Sequence, residues 1–575
     1  MSQTASAPAW VKALMVLALL ALACVAWLYL AGHAYVWLAF GKDGTEATLL
    51  TWPRYWMAYS DLPATKSHLL KSALGATVTC LAPLAMFFIK PQRKLHGEAR
   101  FATRADVRKA GLLNNEGDGV IVGRLGSTFL TAGLRDYPHI MLAAPTGSGK
   151  GVGVVLPNLL NYNHSVIVLD IKQENWTLTA GFRQQCGHEV YLFDPASSSR
   201  RTHRWNPLAY IRDDPGLRVD DVQKIGNIIF PDVPGTDPIW TASCRSLFLG
   251  LVLYVFETEG KVRTLGQVAR EAFGDENALS AALAARYDEG RPLSPACESA
   301  LADYLNTSET TRTSIRKTFT SRFELFLNPI IDAATADNDF DLESLRKRRM
   351  SIYIGITPDN LSRMAPILNL FFQQVVDLNT RELPEHNKAL KYQCLLILDE
   401  FRSLGKLPLI VEAIAFLRGY GLRLLPIFQS PGQVREVYGK DAAESFFQNH
   451  ALRISYTPAD FETASEISRE LGNNTVRSES LSRPTAFGQG QRSVSESEQS
   501  RALLLPQEAL ALGKDEVLLF PRGFRPIRAT KIRWYQEAIF KERVLKPPEV
   551  PVAPFPSPSY SDAQPAPSST VSAPA

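Results

Sequence analysis

The chain has 575 residues, 45% hydrophobic and 21% charged, with a formal net charge of +4. This is an ordinary globular balance, with room for about three or four domains. It argues against a protein coated along its length in nucleic acid, while leaving room for a local basic channel. The six cysteines form no CxxC pair, which argues against a disulfide or zinc framework.

The first elements are apolar. Ala13 to Gly32 carries no charge, and Ser72 to Ile89 is a second uncharged run between Lys71 and Lys90. Each is long enough to cross a hydrocarbon core of ~30 Å. Lys90, Arg93, Lys94, Arg100, Arg104, Arg108 and Lys109 follow the second run, against Glu98 and Asp106, and this bias places the bulk of the chain in the cytoplasm. Residues 33–71 then form a short loop on the far side. Its Trp37, Trp52, Tyr55 and Trp56 suit an interfacial belt or a partner contact.

Residues 143–157 read AAPTGSGKGVGVVLP. The phosphate-loop pattern is G-x-x-x-x-G-K-[ST], in which backbone N–H groups cradle phosphate, the lysine neutralises it and the hydroxyl binds Mg²⁺. Ala144 holds the first position, Gly149 and Lys150 match, and Gly151 stands where the hydroxyl belongs. Pro145, Thr146, Gly147, Ser148, Gly149, Lys150, Gly151 and Val152 form the candidate cradle. HIMLA before it reads as a strand and Val152 onward as a helix, the context such a loop requires.

Further short apolar runs at 165–170, 351–356, 394–398, 422–428 and 452–456 read as buried strands. Separated by helical patterns, they predict a parallel sheet covered on both faces. Between about 215 and 330 the periodicity is helical, as in Ser243–Phe256 and Thr310–Phe326, which predicts an all-α insertion. Arg312 and Arg316 share one face of its last helix, either solvated or in contact with a substrate. CLLILDE ends a strand on Asp399 and Glu400. Asp399 is the candidate Mg²⁺ ligand, directly or through water, and Glu400 the candidate general base. Residues 477–500 read as a mobile polar loop, and the Pro/Ala/Ser-rich 546–575 as a disordered tail. The histidines show no metal-ligand spacing.

With these residues in view, the chain resembles the coupling proteins of type IV secretion systems, the TraG/TraD-type ATPases of bacterial conjugation. HGEARFAT at 96–103, PTGSGKGVGVVLPNLL at 145–160, VLDIKQEN at 168–175, FDPAS at 193–197, WNPLAY at 205–210, LILDEFRSLGKLP at 396–408 and RGYGLRLLPIFQSPGQ at 418–433 carry the resemblance. Glycine after the lysine is that family's own variant of the loop. The resemblance implies an α/β fold: a RecA-like P-loop ATPase domain (91–214 and 331–545) with an inserted all-α domain (215–330), behind two N-terminal transmembrane helices (1–90). It implies ATP and Mg²⁺ as cofactors and a homohexamer at the bacterial inner membrane. The implied partners are a relaxase–DNA complex, the relaxosome, and the secretion channel. Gln429 would sense the γ-phosphate or position water, or else cap its own loop. Arg418 would reach a neighbouring subunit's site, or is a plain surface arginine. Asp170, Lys172 and Glu174 would couple nucleotide state to substrate, or pair with one another. Two other readings stay open: a receptor ATPase for protein effectors, and a membrane scaffold that binds nucleotide without hydrolysing it.

Overall fold

The computed structural model describes residues 9–41, 46–88, 95–113, 118–232, 235, 237–482 and 493–556. It divides into two units, Met1–Leu95 and His96–Ala575.

The first unit is helical. Helices Ala9–Phe40 and Pro63–Phe88 contain the two apolar runs, apart from Ile89, which lies outside the described residues. At 1.5 Å per residue both exceed the ~30 Å of a bilayer core. The Trp27 indole donates to Thr77 Oγ1 at 2.8 Å and so fixes their register. The segment read as a loop is mostly helix: the first helix runs on to Phe40, and Thr51–Tyr59 forms another. Tyr35, Val36 and Leu69 are buried there against Trp52, Tyr55 and Trp56, an apolar contact that a hydrated loop would forgo. Pro238–Glu257 is also long and apolar enough to span, but ten of its residues are buried in the second unit, as in a core helix.

The second unit is built on one eleven-stranded sheet. Its strands are β1 (Val120–Leu125), β2 (Thr128–Ala132), β3 (Ile140–Ala143), β4 (Ser165–Asp170), β5 (Glu189–Phe193), β6 (Met350–Gly355), β7 (Cys394–Leu398), β8 (Leu422–Phe428) and β9 (Leu452–Ser455), then β12 (Glu516–Pro521) and β13 (Ile527–Thr530) after a separate ribbon of β10 (Asn473–Ser482) and β11 (Ser493–Ala502). The sheet order is β2-β1-β13-β12-β9-β3-β8-β7-β4-β6-β5. From β9 to β5 the pairing is parallel; from β9 to β2 it is antiparallel. The fold is therefore mixed, where a parallel sheet was expected, because hairpins β1–β2 and β12–β13 extend one edge. Alternate residues face opposite cores. Ile140, Leu142, Val166 and Val168 lie in one, and Met141, Ala143, Ile167 and Leu169 in the other, so the central strands are apolar on both sides.

Between β5 and β6 the described residues from Pro215 to Ala334 form helices and their connections, including Pro238–Glu257, Pro295–Leu305 and Glu309–Phe323. Arg312 pairs with Glu276 at 3.0 Å, and Arg316 donates to the carbonyls of Phe273 and Gly274 at 3.1 and 2.6 Å, closing the end of helix Leu265–Phe273. Their shared face is therefore engaged within the insertion.

Two low-complexity readings are corrected. Much of 477–500 lies in the paired strands β10 and β11, in register from Asn473↔Ala502 to Ser482↔Ser493; residues 483–492 lie outside the described residues. From Lys546 to Pro556 the chain is an ordered strap. The Thr202 amide donates to the Pro551 carbonyl at 3.0 Å, the Ala553 amide to the Arg200 carbonyl at 2.9 Å, and Ala553 is buried. Proline has no N–H, yet its carbonyl still accepts. Residues 557–575 lie outside the described residues.

Candidate active site

Strands β3, β8, β7 and β4 are sheet neighbours and parallel, so their carboxyl ends share one rim. Ligands of such sheets bind in the crevice outside that rim. β3 leads into residues 144–150, β8 into Gln429, β7 into Asp399 and Glu400, and β4 ends on Asp170.

The loop is fixed at its base, where the Ala144 amide donates to the Phe428 carbonyl at 2.9 Å. Gly147 and Gly149 take φ of +75° and +86°, a region that favours glycine. Among the described residues, the amides of Gly147, Gly149 and Lys150 meet no protein acceptor, and Ser148 Oγ is buried without a partner. Free donors ahead of a helix form an anion cradle. That helix opens as a wide turn, Gly151–Val155, before the α-turn Leu156–Leu159. A methyl group on Gly153 would lie 2.5 Å from the Tyr456 hydroxyl and 3.1 Å from the Ile532 carbonyl, whereas one on Gly151 would meet nothing within 4 Å.

Lys150 Nζ lies 2.8 Å from Asp399 Oδ1 and also donates to Glu400 Oε1. Burial acts to lower the lysine's pKa, but the two carboxylates outweigh it and hold the pKa above its ordinary value. Glu400 takes a left-handed φ of +53°, unusual for a residue with a Cβ. Its amide donates to Asp399 Oδ1 at 3.0 Å, and its carbonyl accepts from the Ser403 amide and hydroxyl at 2.8 and 2.6 Å. Gln429 Nε2 donates to Glu400 Oε2 at 3.4 Å, and the Gln429 amide to Gln433 Oε1 at 3.1 Å.

The rim thus gathers Lys150, Asp399, Glu400 and Gln429. Arg418 is elsewhere. It precedes β8, a strand about 23 Å long, and so lies towards the strand's other end from Gln429, where its guanidinium donates to the Arg135 carbonyl at 2.9 Å. Asp170 is buried and caps helix Glu174–Gln185, accepting from the Asn175 and Trp176 amides at 3.3 and 2.7 Å. Burial pushes its pKa up to about 6, and the nearby Asp399 charge adds to the rise. No ion pair joins it to Lys172 or Glu174 among the described residues; those two are exposed.

Sequence reading missed one wall of the site. A cavity of 570 Å³ beside Gly147–Gly149 is lined by Thr457, Leu512, Lys514, Lys531 and Arg533. Lys531 Nζ sits 4.0 Å from the Tyr456 ring centre, and Arg533 pairs with Asp515 at 2.6 Å. These residues lie more than 300 positions beyond the loop. The alternating cations of KIR at 531–533 were the available signal.

The donor set fits a magnesium nucleotide. Free amides and a lysine suit phosphate, carboxylate oxygens suit a hard divalent cation, and the lost hydroxyl leaves open space.

Residues 93–554 match the family described as Type IV secretory system Conjugative DNA transfer. The chain is 32% identical over 466 residues to Protein VirD4 of Agrobacterium fabrum, covering 78% of this chain and 67% of that protein. It is 30% identical over 570 residues to Conjugal transfer protein TraG of Escherichia coli, covering 90% and 89%. Its fold is similar to that of plasmid coupling protein TrwB in complex with the ATP analogue ADPNP, with a TM-score of 0.57 at 17% identity, over 81% of this chain and 99% of TrwB. TrwB in complex with ADP and Mg²⁺ gives the same TM-score and identity, over 80% and 98%. From the loop to the strap, then, this chain belongs to the type IV secretory family of conjugative DNA transfer proteins.

Proposed function

We propose that the protein is an inner-membrane coupling ATPase that receives a relaxase–DNA complex and drives its DNA into a type IV secretion channel by ATP hydrolysis. The observation that carries this reading is the convergence of Lys150, Asp399, Glu400 and Gln429 on one rim beside a loop of free amides. The TrwB complexes with ADPNP and with ADP and Mg²⁺ supply the ligand class by likeness. The two long apolar helices and the cations after the second support a membrane anchor with the motor in the cytoplasm.

In this reading the loop amides and Lys150 hold the phosphates, and Asp399 holds Mg²⁺. The bound ion withdraws charge from phosphate oxygens. Glu400 takes the proton of the attacking water and Gln429 orients that water. Arg418, far from the rim of its own chain, acts on a neighbour's site within a hexamer. The motor comprises 91–214 and 331–545, and the insertion 215–330.

The test is ATP hydrolysis by the detergent-purified full-length protein, with and without single- and double-stranded DNA, beside Lys150→Ala. Turnover that rises with DNA, falls with added salt as phosphate contacts do, and vanishes in the variant is expected. Binding without turnover in an assembled oligomer would replace the motor with a scaffold. A second reading, protein cargo, draws on the insertion, whose Arg312 and Arg316 are engaged internally and so are poorly placed to hold DNA. Turnover indifferent to DNA favours it.

A further inference from the structure

We infer that the β12–β13 hairpin is a second foothold on the membrane, its tip seated among anionic lipid headgroups. This rests on the membrane-anchor reading above. The tip, residues 522–526, reads RGFRP. Phe524 is 47% exposed. A single exposed ring is ordinary on a protein surface, but this one stands between Arg522 and Arg525. The turn is held in place. Gly523 takes a φ of +78°, the Arg522 amide donates to the Ala451 carbonyl at 2.9 Å, and the Phe524 amide to the Pro521 carbonyl at 3.2 Å. Beside it lies a cavity of 420 Å³, lined in part by Phe447, Arg453, Phe520, Arg522 and Phe524. Arg453 stacks 4.4 Å from the Phe520 ring centre and pairs with Glu470, so Arg522 is the cation of this wall that is left for an outside anion.

The tip is fastened to the stretch of chain that follows the second apolar run. Arg525 donates to the Glu98 carbonyl at 3.0 Å, and the Ala102 amide to the Pro526 carbonyl at 2.8 Å. From Ile89 to His96 is seven steps of the chain. Fully extended, they reach about 25 Å, so the tip is tethered close to the bilayer surface. Charge then selects the occupant. Asp106 is taken by Arg100 at 2.6 Å, and Glu98 lies 3.8 Å from Arg525. Arg522 pairs with no acid among the described residues. Arg104 and Arg108, four apart on helix Arg104–Lys109, are exposed, and Lys90, Arg93 and Lys94 precede them. The surroundings are therefore cationic around one apolar ring. At the headgroup level a ring meets the acyl boundary while guanidinium groups meet phosphate. DNA phosphate offers the same charge; the tether favours the bilayer, which is always within reach.

The test places the full-length protein in nanodiscs of phosphatidylglycerol or of phosphatidylcholine, with the photo-cross-linker p-benzoylphenylalanine in place of Phe524 or, as a control, in place of the exposed Tyr287 of the insertion. Lipid adducts are read by mass spectrometry. They should form at 524 and be near background at 287. The yield at 524 should fall at least about fivefold in phosphatidylcholine and with Arg522→Glu, the factor that one arginine near an anionic surface is worth. Added salt should lower it as well. No lipid adduct at 524, equal yields in the two lipids, or adducts to another copy of the chain or to added DNA in preference to lipid overturn the foothold and leave the anchor reading standing. A wild-type chain that does not enter the discs overturns both. The lipid comparison decides the matter even if Arg522→Glu does not fold.

Discussion

Lys150→Ala removes the cation facing Asp399 and Glu400, so two effects are expected. Hydrolysis should fall by at least about 10²-fold, and stability should drop by about 1–3 kcal/mol as partly buried carboxylates lose their partner; turnover and urea unfolding check them. In the general-base role proposed above, Glu400 is worth about 10²–10⁴ in turnover, so Glu400→Gln should lose that factor while nucleotide binding survives. The two helix glycines separate cleanly. Gly153→Ala drives a methyl group to 2.5 Å from the Tyr456 hydroxyl and should destabilise by about 1–3 kcal/mol. Gly151→Ser points into open space and should stay within about 0.5 kcal/mol of wild type. The ranking depends on Tyr456, which no local pattern connects to the loop.

At the level of elements, the strap yields a test of sign. Alanine normally gains about 1 kcal/mol over glycine inside a helix. At Gly181 a methyl group would meet the Lys546 carbonyl oxygen at 2.2 Å, so Gly181→Ala should instead lift the strap and lower the melting temperature. Limited proteolysis within 546–556 would report the release. What was legible among the elements follows from burial. β4, β7 and β8 lie between strands and between two cores, so their residues form unbroken apolar runs whose ends could be read directly. β10 and β11 make one ribbon of mostly polar residues, and the strap is held by backbone bonds of a Pro-rich stretch, so composition spoke for disorder in both. The rim residues were legible because Asp399 and Gln429 directly follow apolar strands and Lys150 lies in the loop that follows another. The cationic wall was not, because it is assembled from segments around 457, 512 and 531.

Across the whole molecule, acid stability is set by groups outside the site. Burial holds His139, His188 and His450 down to about 3, 2 and 4, with the Arg183 charge adding at His188. Each therefore stays neutral in the fold while the unfolded chain protonates below 6.5, and each withdraws about 2 kcal/mol between pH 6.5 and 5. Asp170 and Asp194, raised by burial to about 6, act oppositely. They take up protons in the fold before the unfolded chain does and return about 1 kcal/mol each over that interval. The histidines win, so the melting temperature should fall from pH 7 to pH 5, and a rise would contradict these assignments.

The insertion leaves the sheet after β5, its outermost strand on one side, and returns through β6, the strand beside it. Its doorway is thus two adjacent rungs at the border of the sheet. A helical module of another length or surface could be exchanged through that doorway without altering the register of β3, β7 or β8. The face that the module turns to the sheet is shared core, with Leu247, Phe248 and Leu251 in one cluster with Ile167 and Leu169, so chimaeras joined at these two points that keep that face should keep their nucleotide chemistry.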